Sequence, residues 1–137
     1  MAERTARYAL ARTVDLPFEE ADRRVREELQ KEGFGVLTEI DVAATLKKKL
    51  DVDIPRYEIL GACAPQLAHR AIQAEPDVGL LLPCNVVVRA AGEEGRTVVE
   101  ALDPVVQLEV ADNPELAAVG QEVRARLERV LDRVAAG

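Results

Sequence analysis

The order of apolar and polar positions predicts a chain in which short strands alternate with helices. Alternating or short continuous apolar runs predict strands at 8–14, 35–40, 57–63, 84–90 and 96–102. Apolar positions three and four residues apart, begun by Asp, Asn or Pro, predict helices between Asp15 and Gly33, at 42–50, at 65–75 and from Asn113 to the end of the chain. Residues 105–110 suit either a strand or a helical turn. This mixture predicts an α+β fold in one domain spanning 1–137.

The last helix carries the strongest periodicity in the chain. Asn113 is a predicted N-cap, and Pro114 occupies the first helical position. The apolar residues that follow are Leu116, Val119, Val123, Leu127, Val130 and Val134. Each of them, once fully buried, stabilises the fold by roughly 1.5–3 kcal/mol. We therefore expect this helix to supply much of the core, and the same spacing also suits a seam with a second subunit.

Composition narrows the classes of function. The net charge of −7 argues against a nucleic-acid-binding surface, since the cations are scattered among acids. No apolar run reaches the roughly 18 residues of a transmembrane helix, and the first residues lack the apolar segment of a signal peptide. A cytoplasmic location is the resulting expectation. Fourteen Arg against four Lys suits a GC-rich genome and a thermophile with charged surface networks.

The inventory of reactive side chains is small. The chain has no Ser, which excludes every serine-nucleophile mechanism. One His and no Gly-rich loop exclude dihistidine metal sites, Walker loops and dinucleotide fingerprints. Among the acids, Asp51, Asp53, Glu58 and Asp103 have no recognisable partner in the sequence, so capping and solvation are their expected roles and no acid–base pair is predicted.

Residues 57–88 contain both cysteines and the only histidine. Cys63 ends a predicted strand just before a helix that starts at Pro65, and Cys84 follows Pro83 at the start of another strand. A thiol at a helix N-terminus is expected to have a lowered pKa, because unpaired N–H groups stabilise the thiolate. His69 lies six residues after Cys63, not quite on the same helical face.

Three interpretations of these thiols remain open. Both can be small buried apolar residues beside tight turns, which is the commonest fate of free Cys. They can form a redox pair or a disulfide, which the cytosol disfavours. They can also bind a metal with His69, although zinc needs three or four protein ligands and two Cys twenty-one residues apart are a weak pattern. No metal ligand is predicted on this basis, and the cofactor is unknown.

Three stretches of the chain carry a family resemblance. They are GFGVLTEIDVAATLKKKLD at 33–51, YEILGACAPQLAHRAI at 57–72 and LLLPCNVVV at 80–88. In these stretches the chain resembles the DUF302 family of small bacterial and archaeal proteins, whose function is unassigned. Gly61, Cys63 and Pro65 match a Gly-x-Cys-Asn-Pro pattern in which Ala64 replaces the asparagine, and a Leu-Pro-Cys motif matches at 82–84.

The resemblance implies a TATA-binding-protein-like fold. This fold is a curved, mainly antiparallel sheet with helices on one face, in the order β-α-β(4)-α with extra short helices. Because one sheet face would be left uncovered, we expect a homodimer.

The resulting functional hypothesis is a homodimeric protein that binds a small apolar or anionic ligand. The predicted site residues are Gly61, Cys63, Pro65, His69, Pro83, Cys84 and Asn85. The alternatives are an enzyme or a redox or sulfur carrier that uses Cys63 with Cys84, and a purely structural interaction protein. Whether the chain is an enzyme stays open.

Overall fold

The structure, a computed structural model, describes residues 6–92 and 94–137. Five antiparallel strands form one sheet in the order β1-β5-β4-β3-β2. The strands are β1 (Ala9–Val14), β2 (Gly35–Asp41), β3 (Tyr57–Cys63), β4 (Cys84–Ala90) and β5 (Thr97–Leu102). The helices are α1 (Phe18–Lys31), α2 (Val42–Leu50), α3 (Pro65–Ala74), α4 (Pro104–Glu109) and α5 (Pro114–Ala136), with a 3₁₀ helix at Pro76–Leu81.

The helices that build the core cover one face of the sheet. Side chains of a strand alternate between its two faces, so every second residue is directed toward the helices. The buried set on this face includes Leu10, Val14, Leu60, Val86, Val88 and Val99. The predicted α+β fold is thus confirmed, with the β-α-β(4)-α order and inserted short helices; the likeness to the TATA-binding protein stays a prediction.

Helix α5 supplies the predicted apolar stripe to the core. All six residues of that stripe are buried, and Gly120 and Leu131 join them. The helix packs against α1, α3, α4 and strands β1 and β5. Within 6–92 and 94–137, no helix combines the length and the apolar character that crossing a bilayer requires.

Strand β1 carries one charged residue on its core-facing side. Arg12 shares the helix-covered face with Leu10 and Val14. Its guanidinium reaches the edge of the core and bonds Glu128 at 3.0 Å and Asp132 at 2.8 Å on α5. The polar side chain therefore ties the edge strand to the last helix, while its aliphatic stem lies over the core.

Helix α1 begins three residues later than its predicted cap. Asp15 does not cap the helix; it pairs with Arg96 at 3.1 Å instead. The N-cap is Pro17, which makes no side-chain hydrogen bond to the helix. Asp15 lies too far before the helix for its carboxylate to reach the N–H groups of the first turn.

Helix α2 has the predicted bounds, and its apolar side is not buried. None of its residues is buried, and Leu50 is 65% exposed. The helix follows β2, which lies at the edge of the sheet with most of its residues exposed. Little of the molecule is available there to cover the apolar side of α2.

Residues 105–109 are part of a helix, and Val110 is its C-cap. The Asp103 side chain accepts a hydrogen bond from the Val105 N–H at 2.9 Å, and Pro104 occupies the first helical position of α4. These are the preferred residues for a helix start. The helix is short because Asp112 soon adopts a left-handed backbone conformation with φ 50°.

Candidate functional site

One end of the sheet opens into an apolar cavity of about 330 Å³. Its walls come from β2, β3 and the start of β4 on one side and from α3, α4 and α5 on the other. The lining residues are Phe34, Leu37, Thr38, Ala62, Cys63, Ala64, Leu67, Ala68, Ala71, Ile72, Leu82, Pro83, Cys84, Pro104, Gln107, Leu108, Val119 and Val123. Leu37 and Ile72 are among the exposed large apolar residues, so part of the wall reaches the protein surface.

Both cysteines line this cavity. Cys84 is the first residue of β4 and pairs in register with Ala62, the residue that precedes Cys63 in β3. Antiparallel pairing thus brings two cysteines that lie twenty-one positions apart in the sequence to the wall of one cavity. Both are free thiols, with Cys84 buried and Cys63 half-buried.

Burial keeps both thiols protonated near neutral pH. It raises the pKa of Cys84 to about 11, and the neighbouring Cys63 adds to this rise. Burial also raises the pKa of Cys63. This direction is the reverse of the lowered pKa expected at a helix N-terminus, because the loss of hydration outweighs any help from α3. The two thiols therefore act as soft, nearly apolar groups of the wall.

Gly61 lies beside the cavity without lining it. A Cβ atom at this position would lie 2.2 Å from the Thr38 Oγ1 and 2.9 Å from the Pro83 Cγ. Only a residue without a side chain allows both neighbours to close over the strand. The partner strand is irregular at this point, since its register with β3 shifts between Val36 and Thr38.

Three other predicted site residues also lie off the cavity wall. Asn85 follows Cys84 in a strand, so its side chain is directed to the opposite face of the sheet, where it is exposed. His69 lies on the exposed side of α3, between the cavity-lining positions 68 and 71. Pro65 is exposed at the first position of the same helix. The cavity wall thus includes Cys63, Pro83 and Cys84 from the predicted set.

Gln107 is the polar residue that sequence reasoning missed. Its side chain is only 8% exposed and lines the cavity. Its amide N–H₂ donates to the carbonyl oxygen of Leu81, and its amide oxygen accepts from the Cys84 thiol at 3.8 Å. The Asp103-Pro104 pair was the available signal, because it marks a helix start that places 104, 107 and 108 on one face.

The thiols do not belong to a larger cluster of metal-binding groups. In the part of the chain that the structure describes, no three or more His, Cys, Asp or Glu side chains lie where they could hold one ion. Cys63 and Cys84 are two ligands, and zinc in proteins takes three or four. His69 does not complete the set, because it lies outside the cavity wall.

Comparison with known proteins places the chain in a family. The family described as "Domain of unknown function DUF302" matches residues 10–134. The chain belongs to the DUF302 family. The resemblance noted in the three sequence stretches is therefore confirmed.

A solved structure of the family has the same fold. It is described as the crystal structure of an uncharacterized conserved protein DUF302 from Bacillus stearothermophilus, and it is 31% identical in sequence. The match covers 93% of this chain and 98% of that chain, with a TM-score of 0.86. No curated protein matches the chain. Membership in the DUF302 family therefore supports the fold but assigns no activity to the protein.

A carboxylate cluster of this DUF302 protein lies outside the cavity. Glu58 on β3 is directed toward α1, where Arg26 bonds it at 3.0 Å and also bonds Asp22. Burial, followed by the nearby Asp22, raises the pKa of Glu58 to about 7. The other carboxylates considered in the sequence have the expected capping and surface roles: Asp103 caps α4, and Asp51 pairs with Lys47 at 3.0 Å.

Replacing the Glu58 carboxyl should change how the stability of the protein depends on pH. The folded state holds the Glu58 proton up to about pH 7, whereas an unfolded Glu releases it near pH 4.3. Stability therefore falls as pH rises from about 4 to 7 and stays reduced above that range. Because Gln cannot ionise, Glu58→Gln should raise the free energy of unfolding by about 1 kcal/mol at pH 8. This value includes a reduction for solvent screening. At pH 4 the substitution should leave the free energy of unfolding unchanged. Urea unfolding at both pH values measures this, with the exposed Glu109→Gln as control; equal effects at pH 4 and 8 would contradict it.

Proposed function

We propose that this DUF302 protein is a cytoplasmic homodimer that binds a small apolar molecule in the cavity beside Cys63 and Cys84. The observation that carries the proposal is the cavity itself. Its volume of about 330 Å³ lies within the range of small-molecule sites, and its wall is aliphatic with a few polar groups. Because the cavity is open at the protein surface, an apolar molecule that fills it would remove its aliphatic wall from water.

The homodimer is supported by the sheet face that is opposite the core helices. Strand register and side-chain alternation place one aliphatic row across this face. The row comprises Ala11, Val87, Ile59 and Ile40, with Glu100 between Ala11 and Val87. Ile40 is 48% exposed, and Ile59 and Val87 are half-buried. A second copy related by a two-fold axis would bury this row against its own equivalent.

Charge on this face also favours a second copy. Among the described strand residues directed to it, Arg89 and Glu100 carry charge, and they pair with each other at 3.0 Å. The face is therefore locally neutral in a chain whose net charge is −7. Two copies can approach through it with less electrostatic repulsion than through the rest of the surface.

Thiol chemistry is the less favoured alternative. A redox or sulfur-carrying role needs a thiolate, since the thiolate is the nucleophile. Burial raises the pKa of both thiols, which keeps them protonated at neutral pH. The cavity geometry therefore favours binding over thiolate catalysis.

Native mass spectrometry of freshly purified protein tests both parts of the proposal. We expect a dimer that carries extra mass, released on denaturation. Val87→Glu places an unpaired charge in the aliphatic row and should give a monomer, whereas Ala125→Glu on the exposed side of α5 should leave the dimer intact.

The results of this experiment distinguish a ligand-binding dimer from a dimer with a purely structural role and from a monomer. A wild-type monomer at micromolar concentration contradicts the homodimer. A dimer that carries no extra mass and takes up no apolar probe contradicts ligand binding and favours a purely structural interaction role.

A further inference from the structure

The chemistry of the cavity wall narrows the ligand class, an inference that rests on the proposed binding function. None of the described residues that line the cavity is Asp, Glu, Lys, Arg or His. A charged ligand group would lose its hydration there and meet no opposite charge. The wall therefore selects against the anionic ligand that the sequence left open.

Gln107 supplies a hydrogen-bond donor that the protein does not use. A side-chain amide has two N–H bonds, and the Leu81 carbonyl oxygen accepts one of them. This carbonyl also fixes the orientation of the amide, because it can only accept. The second N–H has no acceptor among the residues that the structure describes, although the side chain is 8% exposed. This N–H is therefore available to an acceptor on a molecule in the cavity.

The amide oxygen is better satisfied than the nitrogen. It accepts from the Cys84 thiol at 3.8 Å, which is possible because that thiol keeps its proton. The chemistry of the wall therefore favours a hydrogen-bond acceptor on an uncharged molecule. A carbonyl oxygen is such an acceptor.

We propose that the cavity binds an uncharged, largely hydrocarbon molecule with one carbonyl group, and that Gln107 donates a hydrogen bond to that carbonyl. Ala62, Ala71, Leu108, Val119 and Val123 surround the hydrocarbon part, and Gln107 orients the carbonyl. Gln107 is then the residue that distinguishes a ketone, ester or amide from a hydrocarbon of the same shape.

The test compares 2-octanone with octanoate, two probes of similar length that differ in charge. Calorimetric titration at pH 7.5 should show 2-octanone binding at least about tenfold more tightly than octanoate. Gln107→Leu should weaken 2-octanone binding by roughly fivefold to tenfold, the usual effect of one hydrogen bond. Gln121→Leu is the matched control, since Gln121 is an exposed glutamine of α5 outside the cavity wall, and it should change binding by less than about twofold.

Infrared spectroscopy supplies a readout that does not depend on the stability of a variant. The carbonyl stretch of 2-octanone labelled with carbon-13 should lie at lower frequency in the wild-type complex than in a hydrocarbon solvent. This shift should persist in Gln121→Leu and be lost in Gln107→Leu. Octanoate binding as tightly as 2-octanone, or an unshifted carbonyl, would overturn the carbonyl assignment while leaving a binding cavity in place. Failure of both probes to bind would overturn the assignment together with the proposed function.

Discussion

Leu127→Asp should leave the protein largely unfolded in water. Leu127 is 1% exposed in α5 and belongs to the core cluster, apart from the cavity. An ionised carboxylate there would have neither water nor a cationic partner. We expect a loss of more than about 5 kcal/mol, which is enough to unfold a domain at the lower end of the usual range of about 5–15 kcal/mol.

Circular dichroism and urea unfolding measure this loss. Ala125→Asp is the matched control, because Ala125 is exposed two residues earlier in the same helix. It should change the free energy of unfolding by less than about 0.5 kcal/mol. A cooperative urea transition of Leu127→Asp near the wild-type midpoint would refute the assignment of α5 as the main support of the core.

The same substitution at Val123, in the same apolar stripe of α5, is expected to cost less stability. In sequence Val123 is equivalent to Leu127, but in the structure it lines the open cavity. A carboxylate at 123 would border the cavity on one side and would lose less of its hydration than one at 127, which does not border the cavity. We therefore place the strongest destabilising effect at Leu127 and not at Val123.

Gly120→Val should cost about 2–4 kcal/mol, the second largest effect that we expect. At Gly120, helix α5 passes under the start of α4. A Cβ atom there would lie 3.0 Å from the Pro104 carbonyl oxygen and 3.5 Å from a Leu108 methyl carbon. A valine must therefore push α4 outward, and α4 carries Gln107. Binding of 2-octanone should weaken along with stability.

Thermal or urea unfolding together with the 2-octanone titration checks this prediction. Ala117→Val provides the control, because Ala117 is exposed in the same helix and reports the helix propensity of valine alone, about 0.5 kcal/mol. If Gly120→Val matches Ala117→Val in both stability and binding, the close approach of α4 and α5 has no energetic role.

The elements that were predicted best are those whose signals are local. Strands 57–63 and 84–90 and helix 42–50 have the predicted bounds, because hydrophobic alternation, proline and glycine positions and an N-cap Asp mark them in the sequence. Asp15 failed as a cap for the opposite reason. It is a preferred capping residue, but the helix starts at Phe18 and the carboxylate pairs with Arg96 from a distant part of the chain.

The candidate site was predicted only in part, since each residue's role depends on its neighbours in space. Cys63 and Cys84 drew attention by type, and pairing of β3 with β4 brought both to one cavity. Gln107 gave no chemical signal, because its importance comes from burial opposite Leu81 and Cys84. The pKa of Glu58 likewise depends on Asp22, which lies 36 positions away in the sequence.

By itself, the sequence determined the strand and helix pattern, the apolar stripe of α5, the α+β class and the resemblance to DUF302. These follow from short-range periodicity and caps, which act within a few residues. The tertiary structure alone decided which thiols are buried, that Gln107 keeps an unused donor beside an apolar cavity, and that α4 and α5 meet at Gly120. Burial, desolvation and close approach depend on residues that are far apart in the chain, so they exist only once the sheet and helices have come together.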